Sequence, residues 1–151
     1  MEDLRIEKGK VEEFARAVRD DNPAHRDSDA ATEQGFDEVP APLTFTRTSY
    51  FPRYRPGDIG VDLGFDLGLR SEYLVHGEQE YEFKRPIEVG DVLTGTTTLT
   101  DIYQPEGRRG GTMTFAVYET EFRNQNDELV CTARLTRIET SGAIDNEGDG
   151  E

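Results

Sequence analysis

The feature that most restricts the fold is a change of rhythm near the middle of the chain. From Tyr73, the residues Tyr73, Val75, Gly77, Gln79, Tyr81 and Phe83 alternate with Leu74, His76, Glu78, Glu80 and Glu82, so a mostly apolar face opposes an acidic one. A period of two is that of a half-buried strand. Pro86-Ile87-Glu88-Val89-Gly90-Asp91 reads as a turn. Val92 to Tyr103 is rich in Thr, Thr112 to Phe122 alternates again, and Leu129 to Ile138 supplies a last strand. The links Pro105 to Gly111 and Asn124-Gln125-Asn126-Asp127 carry hairpin chemistry. An antiparallel meander of at least four strands is predicted.

The first half follows a different period. Val11, Phe14, Ala15 and Val18 recur at helical spacing, with Glu12 and Glu13 in the expected first turn. This helix should stop near Asp20, because Asn22 precedes Pro23. A second helix is predicted from Ser28 as N-cap to Gly35. A third is predicted from Pro42 through Phe45, Tyr50 and Phe51 to its end at Pro52, and its Thr and Ser residues make it depend on burial. Residues 53–69, with Gly57, Gly60, Gly64 and Gly68, read as a long ordered loop. Helices followed by a meander define an α+β domain. With 151 residues and no internal repeat, one domain over 1–140 and an acidic, disordered tail over 141–151 are expected.

Charge narrows the function. Seventeen Lys and Arg against 32 Asp and Glu leave a net charge of −15, which repels phosphate backbones and anionic head groups, so nucleic-acid and membrane-surface partners are not expected. Only Lys8, Lys10 and Lys84 are lysines, and carboxylates are spread throughout, a surface like that of a protein adapted to high salt. No apolar run approaches a membrane span, and the first residues lack an export signal. Cys131 is the only cysteine, which excludes an internal disulfide and fits a cytoplasmic setting. Two histidines, His25 and His76, without clustered ligands argue against a metal site.

Asp20-Asp21-Asn22-Pro23-Ala24-His25 is the segment able to carry chemistry. The Asn-Pro turn can bring Asp20 and His25 to one side of the loop, and a carboxylate beside an imidazole moves protons at neutral pH. The same residue types also make ordinary turns, with an Asp cap, an Asx-turn at Asn22 and a surface His25. His76, on an acidic strand, reads as a solvated or interface histidine rather than a second base. Arg108 and Arg109, at a hairpin tip, suit either a solvated turn or a coenzyme A or carrier phosphate.

The segment Phe14 to His25, followed by Ala31, Gly35-Phe36, Ala41-Pro42-Leu43-Thr44-Phe45, His76-Gly77-Glu78-Gln79-Glu80-Tyr81 and Arg85 to Asp91, resembles the MaoC-like hot-dog family of (R)-specific enoyl-thioester hydratases and 3-hydroxyacyl-thioester dehydratases. Within it, the likeness is to the N-terminal fatty-acid-synthase-like dehydratase domains and the small subunits of mycobacterial (3R)-hydroxyacyl-thioester dehydratases. The resemblance spans about residues 6 to 138. It implies a hot-dog fold, a central helix wrapped by an antiparallel sheet, acting in pairs on acyl-CoA or acyl-carrier thioesters without cofactor or metal. Asp20 and His25 would be the catalytic residues, activating water for C3 and returning a proton at C2. Asn22 would shape the loop at the substrate, and the Leu43 backbone N–H would meet the thioester oxygen. Catalytic members usually have Gly where this chain has Arg19, and His-Gly where it has Pro42-Leu43.

Three functions follow from that resemblance: a hydratase or dehydratase using Asp20 and His25, a non-catalytic substrate-binding subunit of a heterodimer, and an acyl thioesterase. The pair would be a homodimer or a heterodimer with a related hot-dog chain, because a single sheet leaves an edge strand open.

Overall fold

The computed structural model describes residues 3–51, 66–105 and 112–140. The tail 141–151, most of the Gly-containing loop and the hairpin tip with Arg108 and Arg109 lie outside them. The elements are strand β1 (Leu4–Arg5), helix α1 (Lys8–Ala17), a 3₁₀ turn (Pro23–His25), helix α2 (Ser28–Glu33), a second 3₁₀ turn (Phe45–Tyr50), a third (Ser71–Tyr73), and strands β2 (Leu74–Phe83), β3 (Val92–Tyr103), β4 (Thr114–Arg123) and β5 (Leu129–Glu139). The strands form one antiparallel sheet in the order β1-β3-β4-β5-β2. The four long strands lie within two residues of their predicted bounds. Their order is not that of a full meander, since β2 adds beside β5 rather than beside β3. The predicted turn between β2 and β3 is therefore part of a crossover, residues 84–91, and leads directly into β3.

The described residues fall into two compact units: those within 1–62, 81–97 and 120–133 form one, and the others the second. Every buried member of the main hydrophobic cluster belongs to the first, including Leu4, Val11, Val39, Phe45, Leu93, Phe122 and Val130. Phe14 meets Phe45 edge to face, with centroids 5.4 Å apart. The short β1 was not evident from the sequence; it pairs Leu4 with Leu93, both fully buried.

Three helical expectations change. Helix α1 begins at Lys8, so Glu12 and Glu13 sit mid-helix, and Val18, expected on the buried face, is 50% exposed just past the helix end. Helix α2 is capped by Asp27, whose Oδ1 accepts the Ala30 N–H at 2.8 Å, rather than by Ser28. The helix expected from Pro42 is a six-residue 3₁₀ turn. There the Thr48 hydroxyl donates to the Phe45 carbonyl at 2.8 Å, a local bond that competes with α-helical continuation.

In the second unit, Ala116, Tyr118 and Leu135 are buried, and Tyr103 stacks on Phe115 at 5.0 Å. Gly77 lies at a close approach there, since a Cβ at this position would lie 2.7 Å from Ile138 Cδ1 and 3.2 Å from the Thr136 carbonyl oxygen. No described helix is long and apolar enough to cross a membrane.

Candidate active site

The end of α1 aims the acid. Arg19 N–H donates to the Arg16 carbonyl at 3.1 Å and Asp20 N–H to the Ala15 carbonyl at 2.8 Å, the paired bonds of a Schellman C-cap. That cap needs a left-handed residue, and Arg19 supplies it with φ of 58°. Arg19 therefore adopts the conformation glycine would favour, and Asp20 leaves the helix in a defined direction.

The Asp20 carboxylate is then oriented by its own loop. Oδ1 accepts the Asn22 backbone N–H at 3.0 Å, which leaves Oδ2 for His25 Nε2 at 3.1 Å. The Asn22 side chain caps the Pro23–His25 turn through the Ala24 N–H at 3.1 Å. Arg26 Nη2 donates to the Asp20 carbonyl, also at 3.1 Å. The His25 side chain is 9% exposed. The loop thus brings Asp20 and His25 together, as the sequence suggested it could.

The other face of the imidazole is fixed by a residue that sequence reading passed over. Pro40 bridges Glu88, with bonds from Ala41 N–H to the Ile87 carbonyl and from Val89 N–H to the Val39 carbonyl on either side. Proline suits that position because it has no N–H to give. Its carbonyl accepts from His25 Nδ1 at 2.7 Å. A carbonyl only accepts, so Nδ1 carries a proton. Nε2 is thereby turned toward the Asp20 carboxylate.

These groups line a cavity of about 470 Å³, lying wholly within the first unit, whose walls are otherwise mostly apolar, with Phe36, Ala41, Phe83 and Ile87 among them. Asn22 and Leu43 also line it. Leu43 is 70% exposed, and its backbone N–H has no partner among the described residues. Arg85 lines the same cavity and was missed as a site residue. Its Nη1 and Nη2 grip both oxygens of the largely buried Asp91, at 2.9 and 2.8 Å. That carboxylate raises the Arg85 pKa beyond its ordinary value, making a permanent cation at the wall. The signal was present in the sequence as Arg and Asp flanking one tight turn. His76 is exposed on β2, and no described group of His, Cys, Asp and Glu could hold a metal.

The five-stranded antiparallel sheet belongs to a hot-dog fold, and solved structures share it. The HadBC (3R-hydroxyacyl-ACP dehydratase) complex of Mycobacterium tuberculosis is similar with a TM-score of 0.64 and 27% identity, over 89% of this chain and 88% of that one. A MaoC-like dehydratase is similar with a TM-score of 0.68 and 29% identity, over 93% of this chain but 40% of its own. An (R)-hydratase from A. caviae, 21% identical with a TM-score of 0.58, shares the fold. Residues 1–133 match the FAS1-like, dehydratase domain region, and the chain belongs to that family. A UPF0336 protein of Saccharopolyspora erythraea is 36% identical over 93% of this chain and 84% of its own length.

Proposed function

We propose that this protein reversibly hydrates trans-2-enoyl thioesters to (R)-3-hydroxyacyl thioesters, with Asp20 and His25 as its acid–base pair. The observation that carries the reading is the 3.1 Å contact of Asp20 Oδ2 with His25 Nε2 at the wall of an otherwise apolar cavity. Family membership supports the reaction class.

In the hydration direction, water binds against the Asp20 carboxylate, beside a doubly protonated His25. Its oxygen bonds to C3 as Asp20 takes one of its protons, and the electron pair of the double bond moves toward the thioester oxygen. The Leu43 N–H donates to that oxygen as charge develops, while His25 Nε2–H protonates C2. Asp20 is left neutral and His25 singly protonated, and transfer of one proton across the contact between them resets the pair. Asn22 shapes the loop and Pro40 holds the ring. No cofactor or metal enters this scheme. The substrate is an acyl-CoA or acyl-carrier thioester, and the protein works in the cytoplasm at high salt, paired with a second copy or a related hot-dog chain.

Crotonyl-CoA and purified protein in molar salt test the proposal. Enoyl absorbance should fall, and Asp20→Asn and His25→Ala should each lower the rate by roughly 10²–10⁴-fold, the range of positioned acid–base catalysis. Unchanged rates in both variants would overturn it. An inert wild type that gains activity with a related chain, and keeps it with His25→Ala, would make this a substrate-binding subunit. Release of free thiol would make it a thioesterase.

A further inference from the structure

The geometry points to Gln34, at the end of α2, as a positioning residue that acts through Asn22 to hold the Asp20 carboxylate toward His25. The inference deepens the acid–base reading above and rests on it for its kinetic consequence. The Asn22 and Gln34 amides are joined by two reciprocal bonds: Asn22 Nδ2 donates to Gln34 Oε1 at 3.1 Å, and Gln34 Nε2 donates to Asn22 Oδ1 at 2.9 Å. Because Asn22 Oδ1 also accepts the Ala24 N–H, the sense of the Asn22 amide is fixed, and with it that of Gln34.

Two bonds between planar groups set rotation as well as distance. Asn22 is thereby tied to α2 by its side chain while its backbone N–H holds Asp20 Oδ1. Without the clamp, that N–H can swing, the carboxylate gains freedom to rotate, and Oδ2 loses its fixed aim at Nε2. A displacement of this order at a proton-transfer centre costs up to ~10²-fold in rate. Gln34 is exposed and outside the core, so its loss does not threaten the fold.

Glutamate at this position gives a signature that a merely structural role would not. A neutral carboxylic acid can accept from Asn22 Nδ2 and donate to Asn22 Oδ1, as the amide does. An ionised carboxylate cannot donate and opposes Asn22 Oδ1 with a second acceptor. Gln34→Glu should therefore approach the wild-type rate as pH falls toward the ordinary Glu pKa of about 4.3, and diverge from it above.

The experiment uses the full-length protein in molar salt with Gln34→Ala and Gln34→Glu. Thermal unfolding, crotonyl-CoA hydration and the imidazole NMR titration of the two histidines are followed, exposed His76 serving as the internal control. Asp20 bonds the His25 ring, Arg26 bonds the Asp20 carbonyl and Arg85 lines the same cavity; both variants keep all three, and Gln34→Ala adds no charge of its own. Expected for Gln34→Ala is a kcat roughly tenfold lower at unchanged KM, a changed His25 titration midpoint, an unmoved His76 and intact folding. For Gln34→Glu, the ratio to wild type should rise as pH falls. Unmoved His25 signals in Gln34→Ala, which removes the clamp without adding charge, would overturn it, whatever the rates. An inert wild type whose His25 signals nevertheless shift in Gln34→Ala would remove the hydratase reading and leave the clamp standing.

Discussion

The same strands give two unlike regions. In the unit formed by residues 1–62, 81–97 and 120–133, their inward side chains join Val11, Ala24, Ala31, Val39 and Phe45 in one continuous core. In the other unit the strands continue, but Val75, Ile102 and Tyr103 are 38%, 48% and 43% exposed. Arg134 there bonds Glu119 at 2.7 Å and Glu80 at 3.2 Å. Alternation makes strands in both regions, whereas burial requires something to cover a face. The chain's first half covers one, and the site forms where it does.

Phe45→Ala tests this contrast with the largest expected effect on stability. Phe45 is fully buried and contacts Phe14, so truncation should cost about 3–5 kcal/mol. Ile102→Ala, at a half-exposed position of the second unit, should cost far less. Chemical denaturation of both variants decides it, and equal losses would break the comparison. Gly77→Ala probes the second unit where it is tightest. Its Cβ would meet Ile138 Cδ1 and the Thr136 carbonyl, an overpacking cost of roughly 1–3 kcal/mol. Adding Ile138→Val should restore part of that loss, because the side-chain clash is relieved while the approach to the backbone remains.

How much of this was legible follows from which forces are local. The four long strands and the first two helices show in the residue pattern because each period is set by its own neighbours. The acid–imidazole pair was legible too, since five residues and an Asn-Pro turn confine Asp20 and His25 to one loop. The sheet order was not, because nothing local to Leu74–Phe83 distinguishes β3 from β5 as its neighbour. Nor were Pro40 and Gln34. Each acts through a partner 15 or 12 residues away, and the Pro40 carbonyl has no side-chain identity to read. The 3₁₀ turn at Phe45–Tyr50 was half legible: its Thr and Ser residues indicated weak helix propensity, but the Thr48 to Phe45 bond emerged only in the structure.

Cys131 sharpens the comparison from inside the core of the first unit. Burial pushes its thiol pKa from 9.0 up to about 12, and the Glu82 charge adds to the shift. Between these values the unfolded chain releases the proton while the native chain keeps it, so stability falls as pH rises. The expected loss is on the order of 1 kcal/mol from pH 9 to pH 10, and Cys131→Ala should flatten that slope in denaturant titrations. A thiol reagent should label native protein at pH 8 far more slowly than unfolded protein.

The smallest expected effect tests how the site is attached to that core. Arg19 holds the left-handed position of the α1 cap, where a side chain costs about 1 kcal/mol relative to glycine. The cap bonds from Arg19 and Asp20 to Arg16 and Ala15 are backbone only, so a glycine would make them equally well. Arg19→Gly should therefore raise unfolding free energy by up to about 1 kcal/mol, less whatever flexibility it adds to the unfolded chain. If Arg19 only completes the cap, crotonyl-CoA hydration and its pH profile should stay as in wild type. A stabilised variant with a lowered rate would instead show that the Arg19 side chain, exposed beside Asp20, contributes to the reaction itself.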